Sequence, residues 1–344
     1  MKRRSAILTG AKQFKIIEEE IPALQPNEVL VEVAACGLCH SDMPTYLGTG
    51  AMGFTKYGHM GMNEVSFPAI VGHETVGVVI EVGSDVKNIH VGDYVGGTPL
   101  SPGFTTHMAI PEPMCIPIPK TIPREELKYC LSEPLMCVAS IVQAANPALG
   151  DTVAVVGCGM MGLLTIAGLS HSAACKIIAV DVQGDRLEVA KKYGATHTIN
   201  PAGCDLTAAV DEITNSEGAD IVVEITGSLR GLKTAMKVVR YQPGLGSYGR
   251  RGKVLIPSLY GREETWDPDI GYELMYRAPV LLSTHPGFAT DYMKTARDGV
   301  EAYSKGVLPL RDMITHEFKL DDIAKGFEML EHPKDGYLKG IIVP

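Results

Sequence analysis

The chain has 344 residues, 45% apolar and 21% charged, which at roughly 150 residues per domain predicts about two domains with large cores and excludes disorder, collagen and small disulfide scaffolds. Lys and Arg number 31 against 40 Asp and Glu, a formal charge of −9, so there is no basic surplus to neutralise a phosphate backbone and nucleic acid is not an expected partner. The eight cysteines are unevenly spaced, as in a reducing compartment where thiols serve as ligands or small core residues, and a cytoplasmic protein is expected.

Met1-Lys2-Arg3-Arg4 starts like an export signal, but the apolar stretch from Ser5 to Gly10 is too short before Lys12 and Lys15, so none is expected. Val29 to Val33 and Thr75 to Val82, the latter ended by Gly83-Ser84-Asp85, predict strands, and the first third of the chain reads as mainly β. Cys36-Gly37-Leu38-Cys39-His40-Ser41-Asp42 and Val71-Gly72-His73-Glu74 place a thiol, an imidazole and a carboxylate at the ends of candidate strands, a mixture that suits zinc. Between Cys39 and His73 lie 33 residues. The glycine- and methionine-rich part of that insertion, residues 48–66, reads equally as a wall of the substrate pocket or as a surface loop.

Prolines at 99, 102, 111, 113, 117, 119 and 123 predict a turn-rich or edge-like stretch over residues 97–124, because proline cannot donate to a central ladder. Ser132-Glu133-Pro134 puts an acid just before a proline that opens a helix, so Glu133 stands at a helix N-terminus; Cys137, one turn on, is the alternative ligand.

From Leu149 the pattern alternates strand and helix: Thr152 to Val156, Lys176 to Val180 and Ile221 to Glu224 are strands, each followed by a helical stretch, which predicts a parallel sheet with crossover helices. Thr152 to Cys175 has no Asp, Glu, Lys or Arg and is long enough to span a membrane. Gly157, Gly159 and Gly162 divide it instead into strand, turn and helix. The run Gly157-Cys158-Gly159-Met160-Met161-Gly162 has the G-x-G-x-x-G spacing of a dinucleotide-binding turn, with the pyrophosphate expected at the helix N-terminus. Asp181 lies 19 residues beyond Gly162, near the ~20 expected of the acid that bonds the adenosine ribose, and its charge repels a 2′-phosphate. NAD is therefore expected over NADP, with Arg186 close enough in sequence to keep NADP in play.

Lys253 to Pro257 and Val280 to Ser283 add strands to the same sheet. The turn from Tyr241 to Arg251, ending in Arg250-Arg251, would bind substrate or join subunits. Helical spacing over Tyr292 to Ser304 stops before Gly306, and the tail Gly340-Ile341-Ile342-Val343 is expected to rejoin the first domain.

These residues together resemble the zinc-dependent medium-chain alcohol dehydrogenases, and more closely their sorbitol and sugar dehydrogenase branch, over nearly the whole chain. The resemblance implies a GroES-like, mainly β catalytic domain over residues 1–145 and 291–344, wrapped around a Rossmann NAD-binding domain of doubly wound parallel sheet over 146–290. It implies Cys39, His73 and Glu133 as ligands of one catalytic zinc, Glu74 as an exchanging or outer ligand, Ser41 as the proton relay and His40 facing the cofactor pyrophosphate. The family's four-cysteine lobe for a structural zinc is missing here, since Gly92-Asp93-Tyr94-Val95 runs within a few residues to Gly103-Phe104. The relay histidine often found three residues after the serine is Pro44; Tyr46 or His59 are the candidates to complete the path.

The expected activity is hydride transfer between a polyol- or sugar-like secondary alcohol and NAD, in a homodimer or homotetramer with a small-molecule substrate and no membrane. The rivals are a zinc-free NADPH-dependent enoyl or quinone reductase of the same superfamily, and a nucleotide-binding protein without turnover.

Overall fold

In the computed structural model, which describes residues 1–54, 60–97, 102–241, 251–261, 264–288 and 291–344, the chain divides into two units. Unit 1 is Met1–Leu135, Ala296–Lys305 and Leu310–Pro344; unit 2 is Met136–Thr295 and Gly306–Pro309.

Unit 1 begins with an antiparallel hairpin of β1 (Lys2–Gly10) and β2 (Gln13–Glu20). β3 (Glu28–Gly37) leads through a short 3-10 turn, His40–Asp42, into α1 (Met43–Leu47). The inserted segment holds an antiparallel ribbon of β4 (Ala51–Phe54) and β5 (Met60–Asn63); Tyr57 and His59 lie outside the described residues. β6 (Glu74–Val82) pairs antiparallel with β3 from Val29↔Val82 to Gly37↔Glu74. That register sets the end of β3 beside the start of β6, and so brings the segments carrying Cys39 and His73 together. β7 (Tyr94–Gly97) pairs with β6, β8 (His107–Pro111) with β3, and β9 (Ile116–Ile118) with β7. Pro117 sits on β9, the last strand in the sheet order, where its missing N–H removes no central bond. α2 (Ser132–Ala145) follows, its residues from Met136 on belonging to unit 2.

Unit 2 alternates β10 (Thr152–Val156), α3 (Met160–Ser170), β11 (Lys176–Val180), α4 (Gly184–Lys192), β12 (His197–Ile199), α5 (Leu206–Thr214), β13 (Ile221–Glu224), α6 (Leu229–Val238), β14 (Lys253–Ile256), α7 (Pro268–Arg277) and β15 (Val280–Ser283). All pairings are parallel, in the order β12-β11-β10-β13-β14-β15. The chain direction across the sheet reverses between β10 and β13, and open sheets bind ligands at the carboxyl ends of the strands at such a point. The central strands are near-continuous apolar runs because helices cover both faces: Ala154, Val156, Ile178, Val180, Val222 and Val254 pack with Leu232, Ala235 and Met236 of α6. Asp205 caps α5 by accepting from Thr207 N and Ala208 N, and Ser228 caps α6 by accepting from Gly231 N, bonds that satisfy otherwise orphaned N–H groups.

α8 (Tyr292–Ser304) is followed by Gly306 at φ 75°, the left-handed conformation expected there. α9 (Leu310–Met313), β16 (Ile314–Lys319), α10 (Ile323–Glu331) and β17 (Lys339–Val343) complete unit 1. β17 pairs antiparallel with β3 through Ile341↔Gly37 and Ile342↔Cys36, so the tail does return to the first sheet. Among the described residues no helix is long and apolar enough to cross a membrane, and the uncharged stretch from Thr152 is divided into β10 and α3.

Candidate active site

In unit 1 the ligand atoms of Cys39, His73 and Glu74 lie within 4.8 Å of one another. Cys39 leaves β3 in extended backbone and opens the 3-10 turn, while Glu74 begins β6, so the β3–β6 pairing is what assembles the set. Ser41 Oγ lies 3.2 Å from Cys39 Sγ and 3.1 Å from His73 Nε2. His73 Nδ1 faces Asp42 Oδ1 at 3.3 Å, and the same oxygen accepts from Gly72 N at 3.3 Å. A carboxylate on one imidazole nitrogen orients the ring and leaves the other for a metal, the usual outer arrangement of a metal-binding histidine. Burial alone pushes the His73 imidazole down, but the Asp42 carboxylate and the Cys39 sulfur together hold it well above its ordinary value. A thiol, an imidazole and a carboxylate at this separation fit a zinc ion.

Glu74 is also held from behind. Its side chain is 2% exposed, and Lys339 Nζ of β17, itself 4% exposed, lies 2.7 Å from Oε1 and 2.6 Å from Oε2, with the hydrogen bond running to Oε1. The same ammonium donates to Leu38 O at 2.8 Å, one residue before Cys39. Burial lowers the Lys339 pKa, and Glu74 with Cys39 more than restores it, so the ammonium stays charged. A Cβ on Gly37 would stand 1.8 Å from Glu74 Oε2, so only glycine leaves room for the carboxylate at this point of β3.

Unit 2 carries the dinucleotide turn, and its three glycines do different things. Gly157 has φ 103° and would bring a Cβ to 2.9 Å from the Thr226 methyl; a Cβ on Gly162 would meet Gly157 O at 1.9 Å; a Cβ on Gly159 would meet nothing within 4 Å. The first is needed for the turn, the third for close packing of α3, and the second borders open space at the helix N-terminus, the assignment a pyrophosphate site requires. No side chain caps α3, so its first N–H groups face that space. Met160 is buried and Met161 half-buried in the first turn of α3. Asp181 Oδ2 accepts from Cys158 N at 2.7 Å and Oδ1 from Gln183 N at 2.8 Å, which fixes the carboxylate at the end of β11 beside the glycine turn. Arg186 is half-buried on α4. These residues fit a dinucleotide.

The structure sets the expected carboxylates in a different order. Glu74, the exchanging or outer ligand of the sequence analysis, is in the three-membered group, and Glu133 is not; Glu133 is half-buried in the first turn of α2, with Cys137 on the same helix. Glu74 adjoins His73 in sequence and is anchored by Lys339 of β17. Tyr46 is a core residue, 4% exposed, its ring 4.8 Å from that of Phe327. His40 is exposed on the 3-10 turn. Arg250 lies outside the described residues, and Arg251 donates to Ala278 O at 2.6 Å and Pro279 O at 3.2 Å, so its guanidinium serves the end of α7. Sequence reasoning gave no role to Asp42, Gly37 or Lys339. A lysine inside the apolar run Leu338 to Val343 was the signal for the last.

Comparison with known proteins places these features. Residues 25–120 match a family model described as alcohol dehydrogenase GroES-like domain, and residues 161–256 one described as zinc-binding dehydrogenase. A probable D-xylulose reductase A from Aspergillus fumigatus is 33% identical over 366 residues, covering 96% of this chain and 94% of the relative. A sorbitol dehydrogenase from Bacillus subtilis is 27% identical, covering 99% of this chain and 97% of the relative. An Escherichia coli oxidoreductase/dehydrogenase of unknown specificity superposes with a TM-score of 0.81 at 26% identity, covering 100% of this chain and 99% of that one.

Proposed function

The chain belongs to the zinc-type medium-chain alcohol dehydrogenases, in their sugar and polyol branch, oxidoreductases of alcohols that use a nucleotide cofactor, and from that premise we propose that it converts a polyol- or sugar-like secondary alcohol to the ketone by hydride transfer to NAD with one zinc ion per chain. The observation that carries this is the convergence of Cys39, His73 and Glu74 on one point beside Ser41. A zinc-free reductase has no use for that set.

Cys39, His73 and Glu74 would hold the ion. Zinc in such a site polarises the substrate oxygen and makes its hydroxyl easier to deprotonate. Asp42 keeps the His73 ring oriented, and Lys339 and Gly37 keep Glu74 in place. Ser41 Oγ, in hydrogen-bond range of both Cys39 Sγ and His73 Nε2 and half-buried, would relay the substrate hydroxyl proton, accepting it while passing its own on toward solvent. In unit 2 the first turn of α3 would receive the pyrophosphate and Asp181 the adenosine ribose, and a second anion beside that carboxylate is unfavourable, which supports NAD over NADP. The functional division is a catalytic domain over residues 1–145 and 291–344 and a cofactor domain over 146–290, in a cytoplasmic homodimer or homotetramer.

The ligand assignment is tested by zinc content and NAD-linked turnover on polyols and sugars in Glu74→Gln and Glu133→Gln. Metal lost in the first and retained in the second is expected. The reverse would return the ligand role to Glu133.

A further inference from the structure

Glu224 ends β13 with its side chain fully buried, and among the described residues no cationic side chain pairs with it. Its Oε1 accepts from Thr226 N at 2.8 Å and Thr226 Oγ1 at 2.6 Å, and its Oε2 accepts from the Tyr260 hydroxyl at 2.8 Å. Burial pushes the carboxyl above its ordinary value, and the hydrogen bonds from Thr226 and Tyr260 offset that push in part. The surroundings thus supply donors, as an ionised carboxylate needs. A buried negative charge without a cation is costly to keep, and neither the metal cluster nor the glycine turn accounts for it.

Its position suggests a use. Glu224 pairs in register with Val156, the residue before Gly157, and the methyl of Thr226 packs where a Gly157 Cβ would go. Thr226 is exposed at the carboxyl end of the sheet while Glu224 lies beneath it. In a doubly wound sheet the two halves of a dinucleotide lie on either side of the switch point. With Asp181 following β11 on the adenosine side, the other half of a bound dinucleotide would fall toward the ends of β13 and β14, where Glu224 and Tyr260 lie.

We propose that Glu224 sets the redox preference of cofactor binding: as a buried anion beneath the nicotinamide half, it favours the oxidised dinucleotide, whose ring carries a positive charge, over the reduced one, whose ring is neutral. The inference rests on the reading of unit 2 as a dinucleotide site. A charge inside protein is screened far less than one in water, so it acts across several ångströms without touching the ring. Release of the reduced product is eased by the same charge.

The test is calorimetric or fluorescence titration of the full chain, without alcohol, with NAD+, NADH and ADP-ribose, comparing the wild type with Glu224→Gln. Glutamine keeps the shape and the acceptor for Thr226 and removes the charge. The affinity for NAD+ is expected to fall by about tenfold to twentyfold, the size of one charge interaction across roughly 10 Å at an effective dielectric near 20, with NADH and ADP-ribose nearly unchanged. Equal weakening of all three would make Glu224 a structural residue, and an unchanged NAD+ to NADH ratio would also overturn the proposal. If E224Q does not fold, the wild type is compared on NAD+ and benzamide adenine dinucleotide, whose ring is flat but uncharged; tighter NAD+ binding is expected, and equal affinity would overturn the proposal. A wild type that binds neither NAD(H) nor NADP(H) would refute the dinucleotide reading itself.

Discussion

In unit 1 the candidate metal centre is made of side chains gathered by a strand pairing, whereas in unit 2 the dinucleotide turn is made by leaving side chains out. Cys39, His73 and Glu74 matter for the atoms they present; Gly157, Gly159 and Gly162 matter for the backbone they expose or the space they leave. Damage should therefore differ in kind. Removing an atom in unit 1 should impair chemistry or leave a buried charge alone, and adding one in unit 2 should block a ligand or the fold.

The sharpest break of that contrast is Ser41→Ala, which removes one hydroxyl from the cluster and leaves every proposed ligand residue in the chain. Turnover should fall by about a hundredfold or more, the range for a positioned proton-transfer group, with zinc content unchanged by plasma emission. Equal loss of metal would make Ser41 a ligand-holding residue instead.

Lys339→Met is next. In protein stripped of metal it leaves Glu74 buried beside no cation, which costs about 3–5 kcal/mol, read on the metal-free protein as a lowered midpoint in denaturant unfolding followed by circular dichroism. The double variant Lys339→Met with Glu74→Gln should recover most of that loss, because the unpaired charge is then gone. A double variant no more stable than the single would mean that the lysine acts by packing and not by charge.

The smallest expected effect lies in unit 2. Gly159→Ala meets nothing within 4 Å in a backbone conformation open to any residue, so its melting temperature should match the wild type while NAD+ affinity drops by about tenfold, the value of one hydrogen bond to a charged group. Gly162→Ala, whose Cβ would sit 1.9 Å from Gly157 O, should instead fail in folding. If both variants bind and melt alike, the division of labour among the glycines is wrong.

Legibility in the sequence followed the same line. Most of unit 2 was readable, because its main elements are local patterns: apolar runs for β10, β11 and β13, glycines at fixed spacing, and Asp181 closing a strand; β12, α5 and α7, which carry weaker patterns, were not read. The metal cluster was readable as to Cys39, His73 and the acid beside it, since these sit in short motifs. That the Glu74 oxygen, and not that of Glu133, lies within 4.8 Å of the other two ligand atoms was not, because Glu74 is held by Lys339 from a strand 265 residues away, a partnership that no local pattern encodes. The Glu224 network was hidden for the same reason: a glutamate ending an apolar strand looks like a solvated end until Tyr260, 36 residues on, is seen to cover it.

The central claim is that unit 1 carries one catalytic zinc. The most direct measurement is zinc per chain by plasma emission on protein purified without chelator, for the wild type and Cys39→Ser, beside NAD-linked oxidation of a polyol panel. The account predicts one zinc per wild-type chain and, in the variant, loss of both the metal and the turnover. A wild type purified free of metal that still reduces enones or quinones with NADPH would contradict it.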